Sequence, residues 1–283
     1  MLIKTQGMAK EVVFFNGEFT GKENVEALFS EPGILSGLGV FETLRSYKGN
    51  IVYLNEHLNR LKSSCGLLGI KSQFSYPRLK EIIKKAALLT GLEDVYLRLT
   101  LWKAKKGSVA LLSARGYHPY PVKKYKLGFS AVFSEFRQEG NSWLGRIKST
   151  NRIIYELSLN RARKRGFDEA VILNNQGYIC EASRSNLFLV KEGALFTPAL
   201  ESPCLPGITR KVVLDLARKN KIKTYETKLL PRDLFGADEA FLTNSLLGVM
   251  PLAAVQGIKI GRSINNFRLS RHFLSQYLWI LKK

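Results

Sequence analysis

The chain reads as an α/β (α+β) protein of two domains, and three observations lead there. Strand-like and helix-like segments are mixed without strict alternation. The tract His118-Pro119-Tyr120-Pro121-Val122-Lys123-Lys124 interrupts them with two backbone-restricting prolines and two lysines that keep it wet. The 283 residues, 45% of them hydrophobic, suffice for one large core or two modest ones. The expected division is a smaller amino-terminal α/β domain over residues 1–118, a linker over 119–126 and a larger carboxy-terminal domain over 127–283.

The elements follow in chain order. Residues 1–7 read as an extension ahead of the fold. A strand over 11–15 runs into Asn16-Gly17, a dipeptide that takes positive dihedrals cheaply and so closes hairpins. A second hairpin is expected from Val40–Tyr47 and Ile51–Leu54 around Lys48-Gly49-Asn50. Asn55 caps a helix whose apolar face is Leu58, Leu61, Cys65 and Leu68, and Gly69 ends it. Ser75, with Pro77 in the first turn, opens a helix to about Thr90, terminated by Gly91. Strands at 95–102 and 108–114 close the first domain. The second is expected to hold a strand near 126–133, a helix near 151–165 and strands at 169–173, 186–190 and 194–197. A helix near 208–219, strands at 222–229 and 238–243, and a last helix over 267–281 complete it.

Composition narrows the function. Forty-four basic against 23 acidic residues give a formal charge of +21, which attracts phosphates, carboxylates or nucleic acid. Tyr117, Tyr120 and Tyr125 among Lys123, Lys124 and Lys126 would suit a single-stranded nucleic acid, but the basic residues are spread along the whole chain and no aromatic single-strand motif is present. Nucleic acid is therefore not the expected partner. Cys65, Cys180 and Cys204 lack the spacing of disulfide frameworks and zinc sites, which points to a reducing, cytoplasmic setting. No apolar run reaches the ~20 residues of a membrane span. Three scattered histidines build no metal site, and neither a Gly-x-Ser-x-Gly elbow nor a phosphate loop occurs. Gly37-Leu38-Gly39 precedes a strand rather than a helix and lacks the third glycine of a dinucleotide fingerprint.

Four places carry chemistry. Pro206-Gly207-Ile208-Thr209-Arg210 leads into an amphipathic helix, so the Ile208 and Thr209 amides open a phosphate-binding terminus or merely a capped helix. Arg60 sits beside the apolar Leu58 and Leu61, where it could reach an interior phosphate or simply cover apolar surface. Lys148 has Arg146 and Arg152 nearby in sequence; neighbouring positive charge and burial favour the neutral amine that a Schiff-base lysine needs, although a solvated side chain is the ordinary alternative. Glu181, among Ser183, Ser185 and Asn186, enters an apolar run and wants a cation: a protonated heterocycle or an arginine.

Taken together, these segments resemble the fold-type IV pyridoxal-phosphate enzymes, which include branched-chain and D-amino-acid aminotransferases and aminodeoxychorismate lyase. The resemblance runs from about Phe15 to Gly261. It rests on Gly39-Val40-Phe41-Glu42-Thr43-Leu44-Arg45, His57-Leu58-Asn59-Arg60-Leu61, Ile147-Lys148-Ser149-Thr150-Asn151, Gly166-Phe167-Asp168-Glu169-Ala170, Glu181-Ala182-Ser183-Arg184-Ser185-Asn186-Leu187-Phe188, Leu205-Pro206-Gly207-Ile208-Thr209-Arg210 and Phe241-Leu242-Thr243-Asn244-Ser245. It implies a larger carboxy-terminal mixed-sheet pseudo-barrel domain and pyridoxal 5'-phosphate as cofactor. It also implies a homodimer whose site borrows a first-domain loop, placed near Ala104–Val109. By this resemblance Lys148 is the catalytic amine that carries the cofactor and Glu181 meets its ring nitrogen. Arg60, the Ile208 and Thr209 amides and Ser245 hold its phosphate.

Within the family, Arg152 stands where branched-chain aminotransferases carry a Tyr facing the cofactor hydroxyl. Asn244-Ser245-Leu246-Leu247-Gly248-Val249-Met250-Pro251 is similar to the lyase segment. Both favour aminodeoxychorismate lyase, which releases pyruvate and 4-aminobenzoate. Arg45, Tyr96 and Arg98 resemble aminotransferase residues around the substrate carboxylate and favour an amino-acid aminotransferase as the alternative. Ser36 occupies a place where the aminotransferase pattern has a Tyr, and Arg115-Gly116-Tyr117-His118 matches poorly the Arg-x-His of D-amino-acid enzymes.

Overall fold

The computed structural model describes residues 12–15, 17–20, 32–140, 142–261 and 267–281; the expected extension over 1–7 lies outside them. The chain divides into two compact units, Met1–His118 with Lys148–Asn151, and Pro119–Ile147 with Arg152–Lys283.

The first unit holds β1 (Val12–Phe15), β2 (Glu18–Thr20), α1 (Pro32–Leu35), β3 (Gly39–Tyr47), β4 (Asn50–Ile51), α2 (Leu54–Leu68), α3 (Tyr76–Leu89), β5 (Val95–Lys103) and β6 (Ser108–Gly116). Its six strands lie in the order β2-β1-β6-β5-β3-β4. Every pairing is antiparallel, so this unit takes the α+β form. Side chains alternate across the sheet. Leu44, Leu97, Leu99, Leu101 and Leu112 are buried with Leu61, Leu79 and Ile83 of α2 and α3. Phe41, Thr43, Arg45, Tyr96 and Arg98 occupy the alternate positions of β3 and β5 and form the other face. At the Lys48-Gly49 turn both residues have positive φ, which fits the tight hairpin, but β4 is only two residues long. The helix then starts at Leu54 behind a left-handed Tyr53. Asn55, expected as the cap, lies in the first turn and accepts from Lys80 Nζ at 3.1 Å.

The second unit holds α4 (Val122–Leu127), β7 (Phe129–Gln138), α5 (Ile153–Lys164), β8 (Glu169–Asn174), β9 (Ile179–Ala182), β10 (Asn186–Lys191), β11 (Ala194–Pro198), α6 (Ile208–Lys219), β12 (Thr224–Thr227), α7 (Pro231–Phe235), β13 (Glu239–Asn244), β14 (Gly248–Val255), β15 (Ile258–Lys259) and α8 (Arg268–Leu281). The nine strands form one sheet, β12-β11-β10-β13-β14-β7-β8-β9, with β15 added on β14. The pairs β7–β8, β7–β14 and β11–β12 are parallel and the others antiparallel. The sheet curls until β9 meets β10 and β11, which is the expected mixed-sheet pseudo-barrel. Both faces are covered. Leu187 and Leu189 of β10 join the core inside the curl, whereas Phe188 and Val190 pack with Val213, Ala217 and Phe273 of α6 and α8. A continuous apolar run is what a strand buried on both faces requires.

Three expectations change here. The tract read as a linker carries α4, whose Lys124 is ion-paired with Asp168. Strands β9 and β14 were not foreseen. Pro251 argues against a central strand because it cannot donate to the ladder, and a bulge between Leu252 and Ala254 follows it. Finally, Lys148–Asn151 belongs to the first unit: Phe41 N donates to Lys148 O (2.9 Å) and Thr150 N to Gly39 O (2.8 Å), so this stretch is hydrogen-bonded to β3.

Candidate active site

In the first unit, β3 and the strand-like stretch at 148–151 bring three expected residues close. Gly39 permits that pairing, since a Cβ there would lie 2.4 Å from Trp102 Cδ1 and 2.8 Å from Thr150 Oγ1. Lys148 Nζ sits 4.6 Å from the centroid of the Phe41 ring, and the Arg98 guanidinium carbon lies 3.8 Å from the same centroid. Tyr96 is on the same face under Arg115 (4.8 Å). Arg45 is buried, ion-paired with Asp94 (2.9 Å) and stacked on Tyr117 (4.3 Å).

Arg60 reaches inward from α2 to the carboxylate of Glu42. Its Nε donates to Oε1 (2.8 Å) and its Nη2 to Oε2 (2.6 Å), a two-pronged ion pair. His57 Nδ1 lies 2.6 Å from the same Oε2. Burial would raise the Glu42 pKa, but the charge and hydrogen bonds of Arg60, with those of His57, outweigh it and hold the group at about 2. Burial pushes His57 down, against the pull of Glu42 and aided by Arg60 and Lys148. Glu42 and His57 were not foreseen; an acidic residue among the apolar positions of β3 was the available signal.

In the second unit, Glu181 is buried on β9 and receives donors on both carboxylate oxygens. Tyr155 Oη donates to Oε1 (3.1 Å), while Asn186 Nδ2 (3.3 Å) and the Leu205 amide (3.1 Å) donate to Oε2. Asn186 also donates to Leu205 O (2.8 Å), tying β10 to the chain that enters α6. That helix begins after Gly207 with no side-chain cap, leaving Ile208 and Thr209 in its first turn. A Cβ on Gly207 would lie 2.0 Å from Asn186 Oδ1, so only glycine lets the helix start approach this closely. Ser245 lies in the turn between β13 and β14. The Asn244 side chain organises it by accepting from the Leu246 and Leu247 amides and donating to Arg184 O and Ser185 Oγ. Arg152 Nη2 donates to Ser183 O (2.7 Å), and the guanidinium lies 4.5 Å from the Tyr155 ring centroid. Tyr155 and Gln138 were not foreseen: neither belongs to a motif, and a tyrosine in an amphipathic helix reads as packing.

These residues fit the cofactor that the sequence implied. The first unit offers an amine and a guanidinium. The second offers a buried carboxylate, suited to a protonated heterocycle, and an uncapped helix start beside Gly207, suited to a phosphate. Among the described residues no cluster of His, Cys, Asp or Glu could hold a metal ion, and no helix is long and apolar enough to cross a membrane.

Comparisons with known proteins agree with this cofactor. The chain is 30% identical over 266 residues to a provisionally named branched-chain-amino-acid aminotransferase of Methanocaldococcus jannaschii, covering 90% of each chain. Its structure superposes on the Escherichia coli branched-chain amino acid aminotransferase with a TM-score of 0.90 at 25% identity, covering 95% of this chain and 94% of that one. For the Thermus thermophilus enzyme with pyridoxamine 5'-phosphate the TM-score is 0.89 at 25% identity, over 95% and 93%. A provisionally named 4-amino-4-deoxychorismate lyase from Legionella pneumophila shares the fold (TM-score 0.78, 24% identity, 89% and 93%). The sequence pattern of the class IV amino-transferase family matches residues 39–255, and the chain belongs to that family.

Proposed function

We propose that the protein is an aminotransferase that moves the amino group of a branched-chain amino acid to a 2-oxo acid, with pyridoxal phosphate as its cofactor. The observation that carries this reading is the shared Phe41 platform: an amine, Lys148, and a carboxylate-binding guanidinium, Arg98, lie on one ring. An amino acid presents a nitrogen-bearing carbon beside a carboxylate and calls for that pair. The names of the relatives support the branched-chain class. They weigh against the lyase, which the sequence reading placed first on Arg152 and the segment from Asn244 to Pro251. The lyase neighbour, at 24% identity, supports only the fold.

In this reading Glu181 would accept from the cofactor's ring nitrogen. Arg60, the Ile208 and Thr209 amides and Ser245 would hold the phosphate, and Arg152 would serve the ring hydroxyl. When bound, the cofactor supplies an electron sink next to the substrate's nitrogen-bearing carbon. Lys148 takes the proton from that carbon onto Nζ and returns it, acting as base and then acid. Phe41, 3% exposed, gives the amine an apolar ring to lie against. Arg98, with Tyr96 and Arg45, takes the substrate carboxylate. Glu42, by fixing both prongs of Arg60, sets the guanidinium that meets the phosphate. The homodimer is part of the same proposal, with the tight β5–β6 turn closed by Ala104 N to Gly107 O (3.3 Å) as the loop lent to the partner.

The test is a half-reaction. Leucine, valine or isoleucine should convert bound pyridoxal phosphate to its pyridoxamine form, and a 2-oxo acid should restore it. If no amino acid does so and aminodeoxychorismate alone yields an aromatic product, the proposal is wrong. Light scattering of the pure protein reads the dimer.

A further inference from the structure

Strand β7, helix α5 and strand β9 converge on one side-chain chain in the second unit. Gln138 Nε2 donates to Tyr155 Oη at 2.7 Å, and Tyr155 Oη donates to Glu181 Oε1 at 3.1 Å. A phenol has one hydrogen. Because the Gln138 amide nitrogen is a donor, the phenol oxygen receives there and its hydrogen is left for the carboxylate. Burial of the hydroxyl, and then the nearby Glu181 charge, push the Tyr155 pKa well above its ordinary value, so the phenol keeps that hydrogen at any physiological pH. The Arg152 guanidinium, 4.5 Å from the Tyr155 ring centroid and ion-paired with Glu156, pulls that pKa down and offsets only part of the rise.

We infer that Tyr155, oriented by Gln138, is a positioning residue that holds Glu181 ionised and aimed, so that the carboxylate rather than the carboxylic acid meets a protonated partner. A hydrogen bond donated to a charged carboxylate stabilises the charged form. The Leu205 amide and Asn186 both donate to Oε2, whereas the Tyr155 hydroxyl serves Oε1, so the phenol reaches the oxygen that these two leave aside. Cys180 and Cys204 are the further titratable neighbours that sense this carboxylate. Burial raises both thiols, Cys204 to about 12 and Cys180 beyond it, and they stay neutral beside Glu181. The inference rests on the proposed cofactor reading only for what the carboxylate faces. The Tyr155–Glu181 coupling stands without it.

The experiment separates these two parts. Full-length protein free of cofactor is labelled with glutamate carrying 13C at the side-chain carboxyl, and the Glu181 resonance is identified by its loss in Glu181→Gln. Titrated by NMR, the Glu181 carboxyl of Tyr155→Phe should hold its proton to higher pH than in the parent, by about one pH unit or more. Gln138→Leu, which frees the phenol to turn, should shift it the same way by less. Tyr155→Phe keeps the ring and its packing against Arg152, so a purely structural role leaves the titration unmoved. An unmoved titration in both variants overturns the inference. A second arm adds pyridoxal phosphate labelled with 15N in the ring. In the parent the ring nitrogen should be protonated, and in Tyr155→Phe its signal should move toward the neutral pyridine. If the carboxyl titration shifts but the ring signal does not, the coupling stands and the reading that Glu181 meets the ring nitrogen falls.

Discussion

Replacing Glu42 by alanine strips the buried Arg60 guanidinium of both its carboxylate contacts, at 2.8 and 2.6 Å, and leaves His57 facing the hole. The acid is 1% exposed and Arg60's side chain 10% exposed, so solvent supplies little compensation. Breaking one partner out of such a pair costs about 3–5 kcal/mol. The acidity gives a second, independent magnitude. Glu42 is held at about 2 against an ordinary 4.5, which is worth roughly 3 kcal/mol of stability by linkage. The sign follows from the depressed pKa. That contribution is complete above the ordinary carboxylate range and is lost as pH falls through about 2. The assay is thermal unfolding by circular dichroism on cofactor-free protein from pH 2 to 7, so that ligand binding adds nothing to the midpoint. At pH 7, Glu42→Ala should lower Tm by roughly 6–15 °C. Glu42→Gln should unfold with a visibly shallower loss of stability below pH 4.5, because it has no proton to take up. A Glu42→Ala protein within about 1 kcal/mol of the parent would refute the reasoning, as would an acid limb identical to the parent's in Glu42→Gln.

Two more outcomes follow from single contacts. Gly207→Ala forces the Asn186 amide, 2.0 Å from the new Cβ, away from Glu181 and Leu205; equilibrium titration by fluorescence quenching should show pyridoxal phosphate bound about tenfold more weakly or worse, a cost of order 1–3 kcal/mol, and unchanged affinity would remove Gly207 from the phosphate end. Glu169 is buried under the Ser183 hydroxyl, and burial raises its pKa against the opposing hydrogen bonds of Ser183 and the Ala170 amide. Its folded form therefore resists ionisation, and stability declines as pH rises from the ordinary carboxylate range through the raised value. Glu169→Gln should unfold in denaturant at or above the parent's midpoint at pH 7, with that advantage gone at pH 4; a variant weaker at pH 7 than at pH 4, relative to the parent, contradicts it.

Much of the architecture was legible because local and tertiary signals agree. Pro206-Gly207 followed by Val212, Val213 and Leu216 marked α6, and the structure gives Ile208–Lys219. The apolar run Leu187 to Val190 is a strand because the curl of the sheet and two helices cover its faces. Gly69 and Gly91 end their helices with φ of 63° and 68°. What stayed hidden depends on contacts distant in sequence. Nothing local says that Lys148–Asn151 hydrogen-bonds to β3, because the pairing is made by backbone groups and a glycine over a hundred residues away. Arg60 was recognised by motif, but its Glu42 partner lies 18 residues back on a strand, where a buried acid breaks the apolar pattern. Likewise, the Tyr155 hydroxyl acquires its role only when β7 and β9 bring Gln138 and Glu181 to it.

Lys148 as the amine that carries the cofactor is where the whole account is most exposed. Borohydride treatment of the holoprotein, proteolysis and mass spectrometry should place a single pyridoxyl group on the peptide containing Lys148, and Lys148→Ala should take up no reducible cofactor. A pyridoxyl group on any other lysine, or a yellow, borohydride-reducible Lys148→Ala protein, would contradict it.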